Sequence, residues 1–289
     1  MVTTSLTSYR LKSLDETIAQ LSKDNCQLIA GGTDAMVQHK SPRGAPASFD
    51  KPIVFIDHLK ELKGIATVNR DLHIGACCTY SEMLGHPLIP QIFKKAIKEI
   101  AAPAIRNRGT LGGNICNASP AGDMLPLLYL FNAKIRLQSA RGERISEIRD
   151  FIQGPKKVER LQDELVADVI LPDVPDGQTV VVFEKVANRR ADAITKVSFA
   201  GLMRVEEGRI SDARFAFGAV GPTMVRSIGI EQKLLGEASP LDPKVIDEIV
   251  ADFDRIINPI DDQRSTAVYR KKVALNLLRY FLESGAKLP

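Results

Sequence analysis

The sequence predicts an α+β protein in two parts, an α/β domain over residues 1–175 (subparts about 1–57 and 58–175) and a smaller α+β domain over 176–289. Three observations predict this. Strand-like and helix-like runs alternate up to Leu171, the pattern of sheets covered by helices. A loop rich in proline and acids, LPDVPDG at Leu171 to Gly177, then breaks the pattern. Beyond it come three long strand candidates followed by two helices, the order expected of an α+β domain.

SYRLK reads as a first strand, Ser13 with Glu16 as a capping box opening a helix to about Ser22, and CQLIA as a strand that stops at Gly31. Thr33 and Asp34 are N-cap residues for a short helix through Val37 and Gln38, and PIVFID resumes a strand. GIATV and LHIGACC predict a hairpin turning at Asn69 to Asp71, and Thr79 with Glu82 predicts a second capping box. Phe93, Ile97 and Ile100 recur at helical spacing between Ile89 and Ala101. AGDMLPLLYLF reads as a buried helix with Asp123 in its first turn, and KIRLQ as the strand after it. TVVVFEKVA, KVSFAGLMRV and RISDARFAFGAV are the three long strands, the last two joined at Glu206 to Gly208. Asp242 caps a helix to about Arg255 with Pro243 at its first position, and a last helix runs from about Thr266 to Leu282.

Composition excludes several classes. Hydrophobic residues are 44% and charged residues 26%, ordinary for a soluble globular chain. The net charge of +4 is too mild and too evenly spread for a nucleic-acid surface. No apolar run is long enough to span a bilayer, and MVTTSLTSYRLKS lacks the apolar core of a signal peptide, so a cytoplasmic location is expected. Cys26, Cys77, Cys78 and Cys116 form no Cys-x-x-Cys pair, and His39, His58, His73 and His86 are scattered without ligand spacing. Buried free thiols and no metal site are expected.

Two glycine loops remain, LIAGGTDAM at Leu28 to Met36 and RNRGTLGGNICNASPAGD at Arg106 to Asp123. Paired glycines let backbone N–H groups approach a ligand, and a helix starting at Thr33 or Asp34 would aim its positive end at an anion such as a diphosphate. Asp123 would be repelled by phosphates but suits a ribose or ribityl hydroxyl. The alternative is that both glycine pairs serve only tight turns or close packing. Neither loop is a Walker A sequence or a G-x-G-x-x-G fingerprint. The residues by themselves point to a nucleotide-binding α/β protein.

TLGGNICNASPAGD resembles the signature of the flavin-binding medium subunits of molybdenum hydroxylases, the family of xanthine, nicotinate and carbon monoxide dehydrogenases. LIAGGTDAM is similar to that family's first flavin loop, and the resemblance continues through VFEKVANRRADAITKVSFA to the end of the chain. It implies a two-part α/β FAD-binding domain of the vanillyl-alcohol oxidase (PCMH) type followed by a smaller α+β domain. It implies that Ile29, Ala30, Gly31, Gly32, Thr33, Asp34, Ala35 and Met36, with Thr110, Leu111, Gly112, Gly113 and Asn114, wrap the FAD diphosphate. Asp123 would hold FAD hydroxyls, Ile100 or Ala101 would lie against the flavin, Val166 in ELVADVI would pack on its adenine side, and Lys185 would meet the ribityl chain or the ring's edge.

The resemblance also implies partners and a task. A molybdopterin-containing large subunit hydroxylates the substrate, and a small subunit carries [2Fe-2S] clusters. This chain would take their electrons on FAD and pass them to an acceptor, NAD or NADP on family grounds with ferredoxin or a quinone as the alternatives, and needs no catalytic side chain of its own. AGGTDAM is more similar to the xanthine and nicotinate type, which implies an N-heterocyclic substrate on the large subunit. Cysteine spacing leaves no room for the additional [4Fe-4S] cluster of some relatives, and Ala191 before Asp192 leaves an acidic pair of other relatives half present. A free-standing flavin oxidase of the same fold is the alternative, but no histidine for a covalent flavin link is seen in or near either loop. For docking, the candidates are Tyr269, Arg270, Arg279, Tyr280 and Phe281 of the last helix, and Arg106, Arg108, Arg189 and Arg190 beside the flavin segments. Against the helix stands the reading that Val273, Leu277 and Phe281 face the core.

Overall fold

Alternating runs in the first part fold as two small sheets. The computed structural model describes residues 7–40, 48–172, 179–189 and 191–284, so Arg190 and much of the LPDVPDG loop lie outside the described residues. The first sheet is parallel, in the order β1 (Ser8–Tyr9), β3 (Ile53–Phe55), β2 (Gln27–Ile29). The helix Leu14–Lys23 connects β1 to β2 and buries Thr17, Ile18 and Leu21. Ser13 accepts from the Glu16 amide, as its sequence position predicts, but Glu16 reaches back to the amide of Lys12 instead of that of Ser13.

The second sheet is antiparallel, in the order β4 (Ile65–Val68), β5 (Asp71–Gly75), β10 (Leu165–Leu171), β6 (Lys134–Ser139), β7 (Gly142–Glu147). Its β4–β5 turn places Asn69 and Arg70 at φ of 50° and 73°, the left-handed pair of a tight hairpin. β10 is buried along its whole length, as a central strand covered on both faces must be. Its pairing with β6 slips between Val166 and Asp168, a bulge that puts one extra residue beside Val166. A short ribbon of β8 (Ile152–Gly154) and β9 (Lys157–Val158), not foreseen from the sequence, precedes the loop into β10.

Chain contacts divide the molecule into two compact units, and the division is not linear. The first holds residues 1–89, 102–117 and 133–172; the second holds 90–101, 118–132 and 173–289. A single boundary at 175 therefore does not describe the packing: Gln91–Lys98 and Leu125–Leu130, two helices that a linear reading gives to the first domain, belong to the second unit.

The second unit is built on an antiparallel sheet, β11 (Thr179–Val186), β12 (Val197–Glu206), β13 (Arg209–Gly218). The β12–β13 turn places Glu207 and Gly208 at positive φ. Helices Pro243–Ile256 and Ala267–Glu283 cover this sheet, capped by Asp242 and Thr266. Phe199, Phe215, Phe217, Phe253 and Phe281 interlock beneath them with ring centroids 5.1–5.9 Å apart, within the range of favourable aromatic pairing. All six residues of Leu125–Leu130 are buried, matching the apolar run in the sequence.

Candidate functional site

In the first unit, β2 ends at Ile29, and Gly32 adopts φ of +71°, which turns the chain sharply before the single helical turn Ala35–Gln38. Asp34 stands at the N-cap of that turn in helical conformation and caps nothing; its carboxylate instead accepts from Gln38. Four residues carry little macrodipole, so any attraction for an anion comes from individual amides. Those amides are open: among the described residues, Gly31, Gly32, Thr33, Asp34 and Ala35 donate no backbone hydrogen bond to the protein.

The second loop behaves differently. Residues Leu111–Asn117 form a helix, so the glycine pair sits inside it and not in an irregular link between helices. Leu111 donates to Cys78 O, Gly112 to Ala76 O, Gly113 to Thr110 Oγ1 and Asn114 to Thr110 O. Its glycines also differ in kind. A Cβ on Gly112 would stand 2.7 Å from that of Ala76, and one on Gly31 would stand 1.9 Å from the Arg108 carbonyl oxygen. Both are packing glycines. Gly113 is exposed, and its Cβ would meet only Thr110 Oγ1, at 2.8 Å. The Asn114 Oδ1 beside it is buried without a partner among the described residues, an acceptor left for a ligand's donor.

These segments border a cavity of about 260 Å³ lined by Leu28, Ala30, Gly112, Gly113, Cys116 and Val166, among others. That volume is somewhat below the range that encloses a whole drug-sized ligand, so it suits one end of a dinucleotide. Burial pushes the thiol of Cys116 up, opposed by the charge of Arg160, and pushes that of Cys77 up to about 12. His39, three residues beyond Met36, qualifies the statement that no histidine sits near either loop. Its ring stacks on Phe49 with centroids 4.2 Å apart and bonds Ser48 O and Gln27, so it is engaged in packing.

In the second unit, Lys185 on β11 donates to Asp123 Oδ2 at 2.7 Å and to Glu99 O at 2.9 Å, and the Thr195 hydroxyl donates to Asp123 Oδ1. The lysine side chain is 4% exposed and the aspartate 12%. Burial raises the Asp123 pKa, while the Lys185 ammonium and the Thr195 hydroxyl oppose it. The sequence pointed to Asp123 and Lys185 separately; the structure joins them, and gives them Thr195 and the Glu99 carbonyl as partners. Nothing local in the sequence signals either one. Ile100 is nearly buried, and Ala101 follows it at φ of +41°, a left-handed conformation uncommon for alanine.

The docking candidates divide. Arg270 is buried, donating to Asp262 and to Ala219 O, and Phe281 is fully buried. Val273 and Leu277 pack against the same core, so that face of the last helix is internal. Tyr269 and Tyr280 are exposed, and Arg279 pairs with Asp247. Arg108 approaches Asp57, and Arg189 donates to the carbonyl of Asp192.

In the first unit, open loop amides, an orphaned buried acceptor and an exposed glycine bordering one cavity suit a bound nucleotide, which defines the class as a nucleotide-binding protein. The family described as FAD binding domain in molybdopterin dehydrogenase matches residues 4–174, and the CO dehydrogenase flavoprotein C-terminal domain matches 183–284. The chain is 31% identical to the putative xanthine dehydrogenase FAD-binding subunit of Escherichia coli (strain K12), covering 91% of this chain and 89% of the relative. It is also 31% identical to the glyceraldehyde dehydrogenase medium chain of Sulfolobus acidocaldarius, covering 91% and 92%. Among solved structures, reconstituted CO dehydrogenase from Oligotropha carboxidovorans superposes with a TM-score of 0.87 at 27% identity, covering 99% of each chain. The chain belongs to the FAD-binding medium subunits of the molybdenum hydroxylase family. It is an oxidoreductase flavoprotein subunit with the two-domain fold of that family. Among the described residues no helix is long and apolar enough to cross a membrane.

Proposed function

We propose that this chain is the FAD-carrying electron-transfer subunit of a heteromeric molybdenum hydroxylase. It receives electrons from [2Fe-2S] clusters on a small partner subunit, after substrate oxidation at a molybdopterin-containing large subunit, and delivers them to NAD or NADP. The row of open amides from Gly31 to Ala35 carries the reading, because it offers a diphosphate donors that the described residues do not use. FAD, once bound, takes up electrons singly and yields them in pairs. The protein's own part is to bind and orient. Ile29 to Met36 hold the diphosphate, with Thr110 to Asn114 shaping its approach and Asn114 Oδ1 accepting a ligand hydroxyl. Val166 packs toward the adenine end. Asp123 keeps lone pairs for flavin-chain hydroxyls and, through Lys185, fixes the carbonyl of Glu99 next to Ile100 and Ala101, where the ring would lie.

The organic substrate is set by the large subunit. Relatives named for xanthine and for glyceraldehyde match equally well at 31% identity, so the N-heterocycle expected from AGGTDAM has no advantage over an aldehyde. The test is spectroscopic. The purified chain should be yellow, release one FAD and no FMN on denaturation, bleach with dithionite and with NADH, and remain oxidised when N-heterocycles or aldehydes are added alone. Direct reduction by an organic substrate would overturn the electron-transfer reading, and colourless protein that FAD cannot reconstitute would overturn the cofactor assignment.

A further inference from the structure

The cavity in the first unit has one property that the diphosphate loop does not explain. Among the described residues its lining includes two cations, Lys51 and Arg160, and no carboxylate. Lys51 is partly occupied, donating to Asn25 Oδ1 at 3.1 Å. Arg160 is held differently. One terminal nitrogen, Nη1, donates to the carbonyls of Leu161, Gln162 and Glu164, while Nε and Nη2 have no acceptor among the described residues. The loop that carries it is itself fixed: Glu164 binds Arg144 through both carboxylate oxygens at 2.8 Å and accepts the Leu161 amide. The other acids near it in sequence are matched as well, the adjacent Glu159 by Arg144 and Asp163 by Arg141. What remains is a planar guanidinium anchored along one edge, on a cavity whose other walls include Ile56, Ala76 and Val166.

We propose that Arg160 is the specificity-determining cation for the adenylate end of FAD, its guanidinium plane stacked on the purine in this cavity. Arginine suits that role because its flat, weakly hydrated head packs on aromatic faces, and nucleobases are commonly held in this way. The apolar walls take the remaining purine surface. Without an acid among the described lining residues, the arginine's attraction for an electron-rich ring or its phosphate is unopposed.

The inference rests on FAD being the cofactor, and the experiment separates the two. FAD, FMN and ADP are titrated calorimetrically into the flavin-free full chain, as wild type, Arg160→Met and Arg160→Lys. Wild type should bind FAD and ADP but FMN more weakly. Arg160→Met should lose roughly tenfold in FAD and ADP affinity with FMN affinity unchanged, and Arg160→Lys should remain as weak because lysine has no plane to stack. Equal FAD affinity in Arg160→Met would overturn the proposal, as would full recovery in Arg160→Lys or FMN binding as tightly as FAD in wild type. Should wild type bind no flavin at all, the cofactor reading itself falls. One measurement uses the unaltered chain and so does not depend on the loop surviving substitution: ADP should slow maleimide labelling of Cys116, which lines the same cavity, and labelling indifferent to ADP would also overturn the proposal.

Discussion

At the scale of single residues, the glycines show why a repeated residue type carries no single meaning. Gly31→Ala would drive a methyl into the Arg108 carbonyl at 1.9 Å, a backbone neighbour that cannot rotate away, so the chain should fold poorly or not at all. Gly113→Val meets only the hydroxyl of Thr110 and should keep apo stability within about 1 kcal/mol while losing FAD, since the new side chain stands on the exposed face of the cradle. Thermal unfolding of the apo proteins beside their flavin content checks both, and a Gly113→Val protein with full FAD would remove that residue from the site. Asp123 and Lys185 couple tightly. Asp123→Ala leaves Lys185 buried with the Glu99 carbonyl alone and should cost about 3–5 kcal/mol. In a double-mutant cycle by chemical denaturation, Asp123→Leu with Lys185→Met should show a coupling of about 0.5–3 kcal/mol. The sequence marked both residues through motif resemblance, yet their pairing was not legible, because they are 62 positions apart and no local pattern reports such a contact.

At the scale of elements, what was legible is what local chemistry decides. The Thr79–Glu82 capping box, the Asn69–Arg70 turn and the Asp242 cap all follow from neighbours within a few residues. The helix around Gly112 and Gly113 was not legible, since glycine pairs ordinarily argue against helix. The Leu111 and Gly112 amides instead find partners in Cys78 and Ala76, in the turn that follows β5. Likewise Arg226 closes the end of Leu125–Leu130 by donating to Tyr129 O and Asn132 Oδ1 while paired with Glu231, across a separation that no sequence window spans. The loop before β10 gives a pH test. Arg144 holds the Glu164 carboxyl below its usual range, with burial opposing. A depressed folded pKa means the contribution is complete above the unfolded value, about 4.3, and is lost as pH falls through the folded one. The thermal midpoint of the wild type should therefore exceed that of Glu164→Gln at pH 7, and the gap should close as pH drops below about 4. A gap independent of pH would show that Glu164 acts by packing alone.

At the scale of the whole molecule, sequence order and packing order part company. The linear pattern placed one boundary near residue 175, because strand and helix signals change there. The structure instead assigns residues 90–101 and 118–132 to the second unit, and those segments carry Ile100, Ala101 and Asp123. Their apolar faces decide the matter. Leu125–Leu130 is buried throughout and packs on β12 and β13, and Gln91–Lys98 buries Phe93, Ala96 and Ile97 and packs on β11. Phe93 and Phe131 pack between these segments with their rings tilted and centroids 5.3 Å apart. A fragment ending at residue 175 would keep both helices and remove the strands that cover them, exposing a contiguous apolar patch. We expect such a fragment to bind a hydrophobic dye, to lack near-ultraviolet dichroism and to melt without a cooperative transition. The full chain should melt cooperatively, with little dye bound. A fragment of residues 1–175 that unfolds sharply with a native-like near-ultraviolet spectrum would show that the first part is self-sufficient, and that the two borrowed helices can find another cover within it.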